Sequence, residues 1–162
     1  MIVVLMGVSG SGKTVVGQAL AAELGWPFFD GDDFHPPANV AKMAAGIPLT
    51  DLDRAPWLDR LAAEMGAIER AGGSAVLACS ALKAAYRDRL AIAGDVRFVH
   101  LKGDRATIAS RVAARTGHYM PAALVDSQFA ALEPPADAID IDVVLPVAEQ
   151  VAAIRRRLQP GR

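Results

Sequence analysis

Gly7-Val8-Ser9-Gly10-Ser11-Gly12-Lys13-Thr14 follows directly on the apolar run Ile2-Val3-Val4-Leu5-Met6. A strand that runs into G-x-x-x-x-G-K-[ST] and then into a helix is the signature of a P-loop. Its glycines let the backbone turn tightly, so that successive N–H groups from Gly7 to Thr14 face inward around a polyphosphate at the head of the next helix. Lys13 is placed to reach the β- and γ-phosphates, and the Thr14 hydroxyl to meet Mg²⁺. Nucleotide binding is therefore the first expectation, with Gly7, Val8, Ser9, Gly10, Ser11, Gly12, Lys13 and Thr14 as its residues.

The composition limits what else the chain can be. At 162 residues it has the length of one domain with a sizeable core. Its 17 basic and 18 acidic residues are almost balanced, at net charge −1, and form no basic block of the kind that holds nucleic acid. Cys79 is the single cysteine, so no internal disulfide forms, and the first residues read as a core strand rather than a cleavable leader. Both features predict a cytoplasmic protein. Although 52 % of residues are hydrophobic, no apolar run approaches the ~20 residues of a membrane helix.

Beyond the P-loop, Val15, Val16, Ala19, Leu20 and Leu24 recur at helical spacing up to Gly25. Trp26-Pro27-Phe28-Phe29 reads as a short buried strand beside the P-loop strand, delivering Asp30, Gly31, Asp32 and Asp33 at its carboxyl end. His35-Pro36-Pro37 opens a helix to about Gly46, and turn-rich residues 47–54 lead to a second helix from Pro56 to Ala71, stopped by Gly72-Gly73. Residues 35–72 thus form a substrate-side helical insertion. The run 75–79 is a strand buried on both faces, 96–101 a fourth and 139–144 a fifth. Helices are predicted from about Leu82, over 106–114, up to about Leu132, and over 147–158. Residues 115–122, with Thr116-Gly117-His118-Tyr119-Met120-Pro121, break the pattern and read as a lid. Alternating strands and helices predict a single-domain α/β fold, a three-layer α/β/α sandwich on a five-stranded parallel sheet.

Phosphoryl transfer requires an acceptor oxygen in line with the γ-phosphate, neutralisation of the developing charge, and exclusion of water. For the acceptor, Asp32 reads as the general base and Asp30 as a Mg²⁺ partner acting through water. The alternative is an acidic turn that only caps the next helix. For charge neutralisation, Arg111 and Arg115 lie four apart on one helical face. Arg54, Lys83 and Arg87 are candidates for an anionic substrate group, and His35, Ser80 and His118 for substrate hydrogen bonds. The third strand ends in Cys79-Ser80 without an acidic residue, which argues against a motor ATPase.

These residues resemble the P-loop gluconate kinases. The resemblance rests on the P-loop, Asp30-Gly31-Asp32 with His35-Pro36, Asn39 with Lys42-Met43, Asp53-Arg54 with Pro56-Trp57-Leu58, Cys79-Ser80-Ala81-Leu82-Lys83, Tyr86-Arg87-Asp88, Arg115 with Gly117-His118, and Gln128-Phe129 with Leu132-Glu133-Pro134. It implies transfer of the ATP γ-phosphate to the terminal hydroxyl of D-gluconate with Mg²⁺, a fold similar to shikimate and adenylate kinases, and a homodimer. The nearest alternative is a shikimate kinase, whose Gly-Gly substrate loop is replaced here by Cys79-Ser80-Ala81. A GTP-dependent switch is a third reading, disfavoured because no Asn-Lys-x-Asp segment is present.

Overall fold

A computed structural model describes residues 1–114 and 122–158. Five parallel strands, β1 (Ile2–Met6), β2 (Phe28–Asp30), β3 (Ala75–Ala78), β4 (Val96–Lys102) and β5 (Ile139–Asp142), form one sheet in the order β2-β3-β1-β4-β5. The connecting helices are α1 (Lys13–Leu24), α2 (Pro37–Ala44), α3 (Asp51–Arg70), α4 (Ala84–Ala91), α5 (Arg105–Ala114), α6 (Ala122–Ala131) and α7 (Val147–Leu158).

β1 is central and completely buried, and its alternation divides the core in two. Val3 and Leu5 join Leu20 of α1, Ile108 of α5 and Ile154 of α7 on one face. Ile2, Val4 and Met6 join Leu58, Leu61 and Met65 of α3 and Leu90 of α4 on the other. Helices therefore cover both faces, as an all-parallel sheet requires. Among the described residues no helix is long and apolar enough to cross a membrane.

Three local expectations are corrected. β2 does not lie beside β1: it is the edge strand, half-buried, three residues long and separated from β1 by β3. Its residues still reach the P-loop side because all carboxyl ends open in one direction. α3 begins at Asp51 rather than Pro56, since Thr50 caps it with a reciprocal Thr50–Asp53 capping box. Pro56 is tolerated inside the helix because the bond it forgoes is to the carbonyl of Leu52, a residue 86 % exposed to water. Finally, β5 ends at Asp142, two residues early, where the Asp142 carboxylate accepts from Val144 N–H and turns the chain.

Candidate active site

A cleft of about 360 Å³ opens where the carboxyl ends of β1, β2 and β3 meet. Its walls come from the P-loop, from Asp30, Asp32 and His35 after β2, from Cys79 and Ser80 after β3, from Arg54 and Trp57 of α3, and from Gln128 of α6.

The P-loop wall has the expected form. Gly10 takes φ 85° and Gly12 φ 95°, and a Cβ on Gly10 would stand 2.7 Å from a methyl of Val112, so α5 is packed directly against the loop. Lys13 arches over the loop, its Nζ donating to the Gly7 and Val8 carbonyls at 3.0 Å each. Thr14 lies exposed in the first turn of α1. The Ser11 side chain is fully buried, so its part in holding phosphate falls to its backbone. Ser9 N–H donates at 2.6 Å to Gln128 Oε1, which ties α6 to the loop.

The opposite wall carries the acceptor-side groups. Asp30 caps the short 3-10 turn Gly31–Phe34, one carboxylate oxygen accepting from Asp32 N–H at 3.0 Å. The capping role is thus real, and Asp30 lines the cleft as well. Asp32 is open to the cleft; even so, the crowding of protein around it, and then the adjacent Asp30 charge, push its carboxyl above the ordinary value, against smaller opposing pulls from His35 and Lys13. Burial lowers the His35 pKa, so the imidazole is neutral near pH 7. His35 stacks on Trp57 with centroids 4.1 Å apart and planes 17° from parallel. Trp57 in turn donates from Nε1 to the Gly31 carbonyl at 2.7 Å.

Gly31 is required by this arrangement, because an added Cβ would stand 2.9 Å from the Ala78 carbonyl oxygen, a backbone atom that cannot easily give way. Gly31→Ala is expected to lower stability by about 1–3 kcal/mol, measured as a fall in the urea midpoint. An unchanged midpoint would show that the turn has slack.

The cationic candidates divide. Arg54, half-buried, lines the cleft, with its Nη1 donating to the Leu49 carbonyl at 2.7 Å and standing 3.4 Å from Tyr86 Oη. Lys83 is not in the cleft wall; it pairs with Asp51 at 3.2 Å, and Asp51 also accepts from Tyr86. Arg87, the other candidate for the substrate carboxylate, is absent from the cleft wall. Its guanidinium is turned inward to the carbonyls of Ala81 at 2.8 Å, Leu82 at 3.1 Å and Glu133 at 2.7 Å. Those bonds clamp a bend in which Ala81 adopts φ 46°, an unfavourable conformation for a residue with a Cβ. Arg111 likewise stands outside the cleft wall: it donates to the Val143 carbonyl and braces the turn after β5 against α5. Arg115 and His118, and with them most of the predicted lid, lie outside the described residues.

Cys79 lines the cleft but is inert, its thiol pushed up to about 12 by burial. Trp57 and Gln128 are among the cleft residues to which the sequence assigns no chemical role. Trp57 fits the apolar face of α3 and so reads as core alone, and Gln128 carries no spacing that marks a polar contact 119 residues away.

The sequence profile of a family described as "AAA domain" matches residues 2–135. The chain is 52 % identical over 137 residues to the gluconokinase of Gluconobacter oxydans, covering 83 % of this chain and 76 % of that one. It is 47 % identical over 163 residues to a probable gluconokinase of Xenopus tropicalis, covering 88 % and 86 %. The crystal structure of a gluconokinase from Sinorhizobium meliloti superposes with a TM-score of 0.84 at 44 % identity, covering 93 % of this chain and 87 % of that one.

Proposed function

The chain belongs to the gluconokinase family and is a P-loop gluconate kinase, and from that premise we propose how its residues divide the reaction. The ATP γ-phosphoryl group passes in line to the terminal hydroxyl of D-gluconate, giving 6-phosphogluconate and ADP. Asp32 accepts the hydroxyl proton as the new P–O bond forms and the bond to the β-phosphate oxygen breaks. Lys13 and the P-loop amides from Gly7 to Thr14 stabilise the charge on the phosphates. Arg54 holds the gluconate carboxylate, and Ser80 and His35 hydrogen-bond the chain of hydroxyls between. The observation that carries this reading is the cleft itself, with the P-loop on one side, Asp32 and Arg54 on the other, and Lys13 near enough to Asp32 for its charge to bear on the carboxyl.

The donors around the P-loop fit Mg²⁺: the Thr14 hydroxyl and the Asp30 carboxylate are hard oxygens in one cleft, and the described residues hold no group of three or more His, Cys, Asp or Glu able to cage a metal alone. Thr14 would hold the ion with the phosphates and Asp30 would hold it through water, and the ion would supply neutralisation of phosphate charge. A homodimer in the cytoplasm completes the reading. It is supported by the absence of any disulfide at the single, buried Cys79 and by exposed apolar side chains at the α2–α3 corner, among them Val40, Ile47 and Leu52. Sedimentation of the native chain at twice its monomer mass is the expected result.

Arg54 provides the test. Removing a half-buried partner of a bound carboxylate is expected to cost about 2–3 kcal/mol, so Arg54→Ala should raise the gluconate KM roughly 30- to 150-fold and leave the ATP KM nearly unchanged. Glucose, which has no carboxylate, should be a poor substrate of the native enzyme. Arg87→Ala should instead lower stability by about 1–3 kcal/mol with the gluconate KM of the folded fraction unaltered. Equal use of glucose by the native enzyme, or an unchanged gluconate KM in Arg54→Ala, would remove Arg54 from the substrate site.

A further inference from the structure

Asn39 lies behind the cleft on α2, 3 % exposed and absent from the cleft wall. Its Nδ2 lies 2.9 Å from the Asp53 carbonyl oxygen and 3.2 Å from His35 Nδ1. The first contact fixes which way the amide points, since only its nitrogen can donate to a carbonyl. The second hydrogen of the same nitrogen then lies against His35 Nδ1, which must present a lone pair. Both the Nδ1–H tautomer and the imidazolium would set N–H against N–H, so the single compatible form is the neutral ring protonated at Nε2. That Nε2 stands 3.7 Å from Asp32 Oδ1, on a carboxylate whose side chain is mostly exposed and free to turn.

The Asp53 end of this chain is itself anchored. The Asp53 carboxylate accepts from Lys42 Nζ at 2.7 Å and from Thr50 N–H at 2.9 Å, which hold it down at about 2 and fix the carbonyl that orients Asn39. Trp57 clamps the face of the imidazole. His35 is thus over-determined in position, ring plane and proton location, more than packing alone demands of an imidazole with 3 % of its side chain exposed.

We propose that Asn39 is a positioning residue for the transfer: it locks His35 as a neutral Nε2–H donor, which orients the Asp32 carboxylate toward the substrate hydroxyl without neutralising its charge. The polarity of the lock is the point. An imidazolium beside Asp32 would draw the carboxylate into an ion pair and weaken it as a proton acceptor, whereas a neutral N–H steers one oxygen and leaves the other basic. Burial and the Arg54 charge from α3 keep the ring neutral, against the pull of Asp32 alone. This inference rests on Asp32 being the general base.

Long-range ¹H–¹⁵N correlation of uniformly labelled, ligand-free protein reads the imidazoles directly, with His35 among the chain's three histidines assigned by its loss in His35→Gln. The expected result is His35 with Nδ1 unprotonated and Nε2 protonated at neutral pH and above. Asn39→Asp replaces the donor by a carboxylate and should convert His35 to the doubly protonated form. It should also lower kcat about tenfold at pH 7 with the ATP KM unchanged, because the imidazolium weakens Asp32 as a proton acceptor. An Nδ1–H tautomer or an imidazolium in the native protein would overturn the proposal, with no variant needed. So would an Asn39→Asp protein whose His35 signals and kcat at pH 7 both match the native ones. Should Asp32→Asn retain full turnover while His35 shows the locked tautomer, the assignment of the base falls and the lock stands.

Discussion

Lys13→Ala is expected to abolish measurable phosphoryl transfer, a loss of roughly 10³-fold or more, while the protein stays folded. Lys13 is half-exposed at the cleft, its ammonium donates to the Gly7 and Val8 carbonyls of the loop, and its side chain is no part of either core cluster. Its removal therefore costs the fold little. In the reaction the ammonium acts where charge grows on the transferring group, in a site that fixed donors line, and such donors are worth far more there than in water. A far-ultraviolet circular dichroism spectrum and melting temperature like those of the native protein, with kcat/KM lost, is the expected pair of results. Near-native turnover in a well-folded variant would remove the P-loop from the chemistry.

Asp32→Asn is expected to lower kcat by roughly 10²- to 10⁴-fold with much smaller changes in KM, because the amide keeps the shape and hydrogen bonding of the carboxylate but takes up no proton. The same substitution should raise the melting temperature at neutral pH. Asp32 is held above its ordinary value chiefly by crowding and then by Asp30. A carboxyl raised in the folded state contributes its stability below its unfolded pKa and loses it as pH rises through the folded one, so at pH 7 the ionised Asp32 is a cost that asparagine relieves. Native kcat should accordingly fall on acidification with an acid limb above the usual carboxylate range. Equal damage to KM and kcat, or a lowered melting temperature, would give Asp32 a structural role instead.

Much of this site was legible in the chain. The P-loop was, because its glycine, lysine and threonine positions answer a geometric demand that few other structures make. The pairing of Asp30 with Asp32 was also legible, since a strand end in a parallel α/β sheet opens onto the ligand side wherever that strand lies in the order. That independence from strand order explains why the mistaken placement of β2 beside β1 did not misplace the carboxylates. Arg54 and Arg87 show what was not legible. Both are arginines near the same family-like segments, but one guanidinium is turned to the cleft and the other to three inward carbonyls around the strained Ala81, and nothing in sequence spacing records which way a long side chain turns. The start of α3 was misread for a different reason. Pro56 signals a helix beginning, and the Thr50–Asp53 capping box that sets the true start outweighs it once Leu52 is left in water.

The most direct measurement is the structure of the product formed from ATP and [6-¹³C]gluconate. Incubation with Mg²⁺ followed by ³¹P and ¹³C spectroscopy is predicted to show one phosphomonoester whose phosphorus is coupled to the labelled C6, formed in step with ADP, absent with Lys13→Ala and formed far more slowly with Asp32→Asn. ADP formed without a phosphorylated gluconate, or phosphate carried on a carbon other than C6, would contradict the placement of the gluconate carboxylate at Arg54 and its terminal hydroxyl at Asp32.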